Sequence, residues 1–477
     1  AVADSIHLLV TLFQSMRSGM NKKEAMTESI RINLGPVFLT SLTTAIGLLA
    51  LNLSDVRPFN DLGNISTIGV TAAFVYTVVL VPALVAIFPI RSGKPVGESS
   101  RPIVKLGELV IERRRPLLWL GGALIVFLSL TVSRNELNDE FVKYFDESFA
   151  FRTDTDFVSE NLSGIYTMEY SLSSGEESGI SKPDYLEDVE AFANWARAQP
   201  NVEHVFSITD TFKRLNKNMH GDDPEWYKLP SERNLAAQYL LLYEMSLPYG
   251  LDLNDTINIE KSSTRLIVTS ENVTAVRMRE LQAQSETWLR TNTPETMWTI
   301  PASTNLMFSH ISERNIKSSI LGAFIALGLI AIILGIAFRS VKFGLISIIP
   351  NLAPALMAFG IWGIAVGRID VGNAVVLTMA LGIIVDDSVH FLSKYLRARR
   401  EGGLSPEEAV RYAFSTVGAA LVVTSFILVA GFGVLTLSPF GLNAGMGMLT
   451  AIVLLVALGA DLLFLPPLLM RIEGEAK

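Results

Sequence analysis

The sequence predicts a polytopic α-helical membrane protein that is interrupted by one polar α+β domain. The chain is 49% hydrophobic, and its mean hydropathy of +0.38 is too high for a soluble protein. Apolar segments of about 20 residues, the length that a bilayer requires, recur towards both ends of the chain. The polar stretch 134–316 between them contains no such segment. These observations together favour a membrane bundle with one aqueous domain.

Hydropathy predicts one partial and eight complete spans, about nine in all. In chain order they are 1–13 (partial), 36–53, 65–90, 116–132, 317–338, 343–366, 373–396, 412–437 and 443–470. Lys and Arg are concentrated in alternate loops, and the opposite loops contain only Arg57 and Arg368. Because basic loops remain in the cytoplasm, we expect a cell-membrane protein (inner or plasma membrane) whose residues 134–316 are extracytoplasmic.

Six segments follow from this topology. They are 1–91, the end of a first transmembrane half; 92–115, a cytoplasmic linker; 116–133, the first span of a second half; 134–316, the extracytoplasmic domain; 317–472, a five-span bundle; and 473–477, a cytoplasmic tail. Within the linker, residues 102–112 are amphipathic, which favours a helix on the membrane surface. The alternative is a loop with a single helical turn.

The polar domain shows the order strand, helix, strand twice. The predicted elements are strand 165–172, helix 183–199, strand 203–208, then strand 264–270, helix 274–292 and strand 296–300. Residues 231–246 between them are predicted to be helical and 213–230 irregular. This repetition predicts two split β-α-β units.

Two adjacent carboxylates interrupt the apolar stretch 376–396. Asp386 and Asp387 lie past its middle, and His390 follows one helical turn later. Charged groups in hydrocarbon cost several kcal/mol by the more modest scales, about 3 kcal/mol each, so they usually face a bundle interior and have a function. We therefore interpret these residues as a candidate site.

The same signature opens the chain. Asp4, Ser5 and His7 match Asp387, Ser388 and His390 at a spacing of 383 residues. The correspondence continues through Glu24 and Glu408, Thr40-Ser41 and Thr424-Ser425, Gly47 and Gly431, Leu53-Ser54 and Leu437-Ser438, Pro58-Phe59 and Pro439-Phe440, and Pro82 and Pro466. A duplicated membrane unit with polar residues at equal depth predicts a site at the interface between its halves.

Each candidate residue has a structural alternative. Asp4, Asp386 and Asp387 are predicted to exchange protons, or else to be structural carboxyls satisfied by hydroxyls. His7 and His390 share a helix face with their aspartates, so they could pass protons on, or simply bond a carbonyl. The hydroxyls of Thr40, Thr424 and Ser425 could relay protons, although helix packing is their commoner use.

Several function classes are disfavoured. The chain has no cysteine, and no nucleophile–base pair or metal-ligand spacing is visible, so neither an enzyme, a cofactor nor a metal is expected. The net charge of −8 does not suggest nucleic-acid binding.

Four segments resemble the resistance-nodulation-division (RND) superfamily, in particular its MMPL and sterol-sensing-domain branch. They are FRSVKFGLISIIPNLAPALMAFGIWGIAVG (338–367), LGIIVDDSVHFLSKY (381–395), TSFILVAGFGVLTLSPFG (424–441) and LPPLL (465–469). The last three also have earlier counterparts in the chain. The combination is specific and the resemblance covers nearly the whole sequence.

The resemblance implies an RND-type bundle. Family members have twelve spans in two halves of six, each with an exterior domain after its first span. This chain resembles spans four to twelve with the second exterior domain, and we expect a fragment without the first three spans and the first exterior domain. Acidic residues of spans four and ten carry protons in the family, which implies Asp4 and Asp387, with Asp386 as neighbour. The larger drug pumps also have a lysine at this depth, whereas Lys394 here is predicted to lie near the membrane edge.

The implied function is export of hydrophobic or amphiphilic molecules, lipids or drug-like compounds, driven by the proton-motive force. The expected partners are that substrate, protons and membrane lipids, and the sequence leaves a homo-oligomer open. The alternative is a sterol- or lipid-sensing membrane protein of the same fold without net transport.

Overall fold

The computed structural model describes residues 2–90, 101–248 and 250–474. The chain forms two compact units, one comprising 1–137 and 313–477 and the other comprising Asn138–Ser312. The predicted linker residues 92–100, Ala1 and the last three residues of the predicted tail lie outside the described residues.

Long helices begin the first unit. They are α1 (Val2–Arg17), α2 (Lys22–Leu49), α3 (Arg57–Ile87), α4 (Arg101–Glu112) and α5 (Arg114–Thr131), followed by the short strand β1 (Glu136–Leu137). A capping box starts α2, because Asn21 accepts from the Glu24 amide and the Glu24 side chain returns to the Asn21 amide. The amphipathic segment is helical, as predicted, and Glu108 of α4 forms two hydrogen bonds with Arg411. Its location on the membrane surface stays a prediction.

The second unit contains a three-stranded sheet with helices. Its elements are α6 (Ala150–Asn161), β2 (Tyr166–Ser173), α7 (Pro183–Arg197), β3 (Val202–Phe206), α8 (Ile208–Met219), α9 (Arg233–Ser246), β4 (Ser263–Ser270) and α10 (Ala275–Asn292). The strand order is β2-β4-β3, and both outer strands are antiparallel to β4. The strands β2 and β3 are therefore parallel with β4 between them, which makes β2-α7-β3 a split β-α-β unit.

Alternation determines which face of this sheet is buried. Tyr166, Met168, Tyr170 and Leu172 of β2 point into one core with Leu266 and Val268 of β4. The intervening residues of β2 are partly or fully exposed. The same alternation of apolar and polar residues along β2 is visible in the sequence.

Two predictions for this unit are wrong. Residues 296–300 do not form a strand: a 3₁₀ turn at Glu295–Met297 precedes an irregular segment, and only an isolated bridge joins Ala302 to Glu169. The segment 213–230 is not wholly irregular, because α8 runs to Met219. Ser207 caps α8, and its buried Ile208 and Phe212 lie one turn apart, a short helical pattern that the sequence analysis overlooked.

The first unit resumes with the remaining membrane helices. They are α11 (Thr304–Ala337), α12 (Val341–Ile346), α13 (Ile348–Ala365), the strand β5 (Arg368–Ile369), α14 (Val371–Arg400), α15 (Pro406–Ala413), α16 (Ala419–Leu435), α17 (Gly441–Gly459) and α18 (Leu465–Gly474). Single π-helical turns at Phe414–Gly418 and Ala460–Phe464 join α15 to α16 and α17 to α18. The strand β5 pairs in parallel with β1.

Eight helical stretches of the described chain are long and apolar enough to cross a membrane. They correspond to the eight complete spans predicted from hydropathy, and the partial span is α1. The most buried of them is Val371–Arg400, with 72% of its apolar window inside the protein. The helix α14 is therefore the centre of the bundle, which is unusual for a segment that carries two carboxylates.

A glycine contact brings α2 against α14. A Cβ atom at Gly47 would lie 2.9 Å from the Gly382 Cα, so neither residue has room for a side chain. Thr44 of α2 also donates a hydrogen bond of 2.7 Å to the Gly382 carbonyl. This close approach fixes α2 beside the half of α14 that carries the carboxylates.

Candidate functional site

Three side chains of α1 and α14 meet inside the bundle. Polar atoms of Asp4, Asp386 and His390 all lie within 4.8 Å of one another. Asp386 Oδ1 and His390 Nε2 are 3.5 Å apart, one helical turn along α14. Asp4 is 8% exposed and His390 is fully buried. The two halves of the sequence repeat thus contribute to one polar cluster.

The histidines of the repeat stack on each other. The rings of His7 and His390 are nearly parallel, with centroids 3.7 Å apart and an interplanar angle of 3°. Among the described residues, His7 Nε2, both nitrogens of His390 and Asp386 Oδ1 are buried without a hydrogen-bond partner. Buried polar atoms normally have partners, and exceptions usually indicate function, so this unmet hydrogen-bonding capacity suggests proton exchange.

Asp387 belongs to a different environment. It accepts a hydrogen bond of 2.7 Å from Ser425 of α16, whose neighbour Thr424 donates to the Ala420 carbonyl of its own helix. The repeat matches Asp4 to Asp387 and would pair the two across the halves, but that pairing is wrong, because Asp386 is the carboxyl that lies beside Asp4. Adjacent residues of a helix point about 100° apart, so one carboxyl of the pair faces α1 while the other faces α16.

The three predicted hydroxyl residues make different hydrogen bonds. Ser425 donates to Asp387, whereas Thr40 and Thr424 donate to backbone carbonyls of their own helices. All three are buried. Their role in proton transfer stays a prediction.

A chain of polar side chains that the sequence analysis missed leads away from the cluster. Lys394, one turn after His390, is only 4% exposed and donates to Asn33 Oδ1 at 3.2 Å. Asn33 in turn donates to Thr11 Oγ1 at 2.9 Å, and Thr11 donates to the His7 carbonyl. Lys394 was expected at the membrane edge. Its i+4 spacing from His390 was the available signal that it shares the buried face.

A further acid, Asp461, was also missed. It is completely buried in the π turn between α17 and α18, and neither carboxyl oxygen has a hydrogen-bond partner. The π turn that carries it packs against α14. The signal was visible: Asp461 is the only charged residue in the predicted span 443–470.

The span that contains α12 and α13 also contacts α14. Ser347 separates the two helical segments, and Pro354 lies inside α13. Ser388 of α14 donates a hydrogen bond of 2.8 Å to Asn351 Oδ1. An amide of α13 therefore lies beside the helix that carries the carboxylates.

A cavity of about 690 Å³ opens between α2, α11 and α14. Its walls include Phe38, Leu42 and Ile333, and its polar rim carries four cations and one anion. The charged lining residues are Arg31, Lys394, Arg397, Arg400 and Glu401. An apolar chamber with a net positive rim has the chemistry that an acidic amphiphile requires.

The cluster of Asp4, Asp386 and His390 also has ligand atoms at a spacing that a metal ion could use. Burial of two carboxyls and an imidazole suits proton exchange equally well. The expectation that no metal is bound stays a prediction, and metal analysis of the purified protein would test it.

Three comparisons with known proteins each identified similar sequences or structures. The MMPL family model matches residues 4–108 and 264–477. A membrane protein of Methanocaldococcus jannaschii, MJ1562, is 26% identical over 159 residues, which are 31% of this chain and 41% of that protein. The fold is similar to that of the hedgehog release protein Disp from the water bear Hypsibius dujardini (TM-score 0.65, 14% identity, 99% of this chain and 62% of that one).

It is also similar to SecDF, a translocon-associated membrane protein from Thermus thermophilus (TM-score 0.55, 14% identity, 99% of this chain and 53% of that one). The chain spans between two fifths and two thirds of the length of these relatives. The family model covers more than half of the chain, and the bundle has the fold of RND-type transporters. The chain therefore belongs to the MMPL family.

Proposed function

We propose that this chain is part of a secondary active transporter that exports hydrophobic or amphiphilic molecules using the proton-motive force. The observation that carries the proposal is the buried contact of Asp4 with Asp386 and His390, which joins the two halves of the repeat. Carboxyls and imidazoles are the groups that exchange protons under physiological conditions. Membrane transport of the RND type is the function of the family to which the chain belongs.

Proton binding at this position would change the contact between the halves. Two ionised carboxylates repel each other in a poorly solvated site, whereas a protonated carboxyl donates a hydrogen bond to its neighbour. Loading and release of a proton therefore alternately favour a tighter and a looser approach of α1 and α14. Family folds of this kind alternate access by moving one half against the other around a fixed site.

Lys394, Asn33 and Thr11 form a hydrogen-bonded polar chain beside the cluster, and the chain ends on the backbone carbonyl of His7. It stabilises a buried cation, Lys394, near the stacked histidines, three of whose ring nitrogens have no hydrogen-bond partner among the described residues.

The cavity supports an amphiphilic substrate. Its apolar wall suits acyl chains, and Arg400 and Arg397 at the rim suit an anionic head group. Phe38 and Ile336 beside it are more than half exposed and would contact lipid chains. We infer that substrate enters this cavity sideways from the membrane.

The test is transport into inside-out membrane vesicles or proteoliposomes that contain the full-length protein. A fluorescent acidic lipid should move when a proton gradient is imposed, and an ionophore that collapses the gradient should stop it. Arg400→Gln should weaken lipid binding while leaving assembly intact, and Arg471→Gln, a basic residue outside the cavity, is its matched control. Transport that continues without the gradient would contradict the proton coupling.

The second candidate is a lipid-sensing membrane protein of the same fold, which the cavity favours equally. A sensor would bind the acidic lipid with the same dependence on Arg400. It would not move the lipid under any gradient, so the same preparation separates the two functions.

A further inference from the structure

Three polar side chains are buried at the end of the bundle that is predicted to face the extracytoplasmic side. Ser54, which lies between α2 and α3, donates a hydrogen bond to Asn315 Oδ1 of α11, and Ser319 follows one turn further along α11. Asn315 is completely buried, and Ser54 and Ser319 are 6% and 4% exposed. The residues next to them in sequence, Asp55 and Arg314, form an exposed ion pair at 3.1 Å. The buried polar group therefore begins directly below the surface of the bundle.

Two atoms of this group have no hydrogen-bond partner among the described residues. They are Nδ2 of Asn315, which carries two N–H donors, and Oγ of Ser319. Residues four apart on a helix have Cβ atoms about 5–6 Å apart, so one water molecule can bridge the amide and the hydroxyl. Buried polar groups that lack a protein partner usually bond to ordered water. The position therefore has the chemistry of a water-binding site.

The same position contacts the helix that carries the carboxylates. Thr378 of α14 is completely buried and donates a hydrogen bond of 3.0 Å to the Ser319 carbonyl. Gly382 and Asp386 follow Thr378 at steps of four residues, so neighbouring members of this series share a side of α14. Asp386 lies about 12 Å further along the helix axis than Thr378. The polar position thus borders the side of α14 that leads inwards to the candidate site.

The contact between α2 and α14 separates this position from Asp386. A Cβ atom at Gly382 would lie 3.1 Å from the Thr44 Cα, and the Thr44 hydroxyl is bonded to the Gly382 carbonyl. No water molecule fits between the two backbones at this contact. A proton can therefore pass it only when the two helices move apart.

We propose that Ser54, Asn315 and Ser319 hold an ordered water molecule that is the entry point for protons from the extracytoplasmic side. The contact of α2 with α14 then keeps this water apart from Asp386. The water site itself does not depend on the proposed function, whereas its role in proton entry rests on it. Because α2 belongs to the first half of the repeat and α14 to the second, movement of one half against the other would open the contact.

The test for the water is X-ray radiolysis of the full-length protein, in which bound water releases hydroxyl radicals that oxidise the nearest side chains. A single cysteine replaces Ser319 in a background without other cysteines, and mass spectrometry measures the rate of thiol oxidation. Ile316→Cys is the matched control, because Ile316 is similarly buried, lies closer to the start of α11 and packs in an apolar core. We expect Ser319→Cys to be oxidised at least severalfold faster than Ile316→Cys.

Asn315→Leu, combined with Ser319→Cys, removes the amide that holds the water. Oxidation of the thiol should then fall to the rate of Ile316→Cys. Equal oxidation of Ser319→Cys and Ile316→Cys would overturn the water site, since the position would be dry at a low common rate and the whole helix open at a high one. If Ser319→Cys does not assemble, Asn315→Cys reports on the same water.

The role in proton entry is tested by gradient-driven transport in proteoliposomes. Asn315→Leu should slow transport severalfold, because protons reach Asp386 less readily, while binding of the fluorescent acidic lipid stays unchanged. Thr450→Val is the matched control, since it also removes a buried hydroxyl that lacks a partner among the described residues, but on α17. Thr450→Val should transport at the rate of the unaltered protein. Unchanged transport in Asn315→Leu would overturn proton entry at this position.

These outcomes are distinguishable from failure of the proposed function. If the unaltered protein transports without a gradient, or does not transport, proton-driven export fails, and the oxidation of Ser319→Cys still decides the water site. If transport is driven by the gradient and Ser319→Cys is oxidised no faster than its control, only the water site fails.

Discussion

Asp386 and Asp387 illustrate what a sequence can say about single residues in a membrane helix. Their rarity in an apolar segment predicted a functional position, and the repeat predicted a site between the two halves, where His7 and His390 are found stacked. The sequence could not predict which carboxyl faces α1. That choice depends on the rotation of α14 about its axis, which packing against α2 and α17 determines.

The assignment within this pair predicts a coupling pattern. Asp4→Asn and Asp386→Asn should be non-additive in thermal stability, with an interaction of about 0.5–3 kcal/mol, because the two side chains belong to one cluster. Asp4→Asn and Asp387→Asn should add within about 0.5 kcal/mol. Thermal unfolding of the four single and double variants in one detergent provides the measurement. Coupling of Asp4 to Asp387 alone would restore the pairing suggested by the repeat.

Lys394 and Asp461 were missed for different physical reasons. Lys394 is one turn from basic residues at the helix end, where lysines usually reach solvent, and its burial results from the approach of α2. Asp461 stands alone in an apolar span, without the second acid or the histidine that marks the other two positions. Its complete burial follows from the packing of the π turn against neighbouring helices.

Helices and strands differed in how well the sequence predicted them. Every complete span corresponds to a helical stretch, because the apolar length that a bilayer requires is a local property of the chain. The closing strand of the second β-α-β unit does not form, because a strand also needs a partner. The outer edge of β2 offers 296–302 only the single bridge between Glu169 and Ala302.

The close contact between α2 and α14 predicts that a single methyl group added at Gly47 destabilises the bundle. Gly47→Ala places a Cβ atom against the backbone of Gly382 and should destabilise the bundle by about 1–3 kcal/mol, as overpacking of a tight contact does. Gly433→Ala is the matched control, since a Cβ atom there meets nothing within 4 Å. The apparent melting temperature of each purified variant provides the comparison. Equal stability of the two variants would show that the helices cross less closely.

The second unit contains an ion-pair network between α7 and α8. Lys213 lies 2.6 Å from Glu190 and 2.9 Å from Asp210, and its side chain is largely buried. Burial alone would raise the pKa of Glu190, but hydrogen bonds from Lys213 and Thr209 outweigh it and lower that pKa. Burial likewise opposes the protonated Lys213, yet its bonds to Glu190 and Asp210 raise its pKa.

Lys213→Met should therefore destabilise the unit by about 1–2 kcal/mol, since it removes charged hydrogen bonds. An acid whose pKa is lowered by folding stabilises the folded state at pH values above its unfolded pKa, and a lysine whose pKa is raised stabilises it below its unfolded pKa. The loss of stability in Lys213→Met should therefore be greatest between about pH 5 and pH 10. Unfolding of the full chain followed across this range is the measurement. The control Lys182→Met removes a more exposed pair with Glu176 and should cause no resolvable change. A pH-independent loss would mean that Lys213 stabilises by packing alone.

At the scale of the whole molecule, the distribution of basic residues predicts opposite sides for the loop at 14–35 and the unit Asn138–Ser312. The chain has no cysteine, so single cysteines can be introduced at Met20 and Glu177, both exposed. An impermeant thiol reagent added to sealed vesicles should label only one of them. Labelling of both from the same side would refute the topology.

The repeat predicted the architecture of the bundle better than any local pattern did. His7 and His390, which match across the repeat, stack on each other, whereas Asp4 meets Asp386 and not its own match Asp387. The repeat could not predict that the two halves differ chemically. Asp461 and Thr77 occupy corresponding positions and both are buried, although one carries a carboxyl and the other a hydroxyl.

The parallel rings of His7 and His390 limit how much positive charge the centre of the bundle accepts. Two imidazolium ions about 4 Å apart repel each other by about 4 kcal/mol at the effective dielectric constant of partly buried groups. We therefore expect that protonation of one ring disfavours protonation of the other, although each belongs to a different half of the chain. On this argument the halves would compete for a single charge, and the duplicated sequence would behave as one two-position switch and not as two parallel channels.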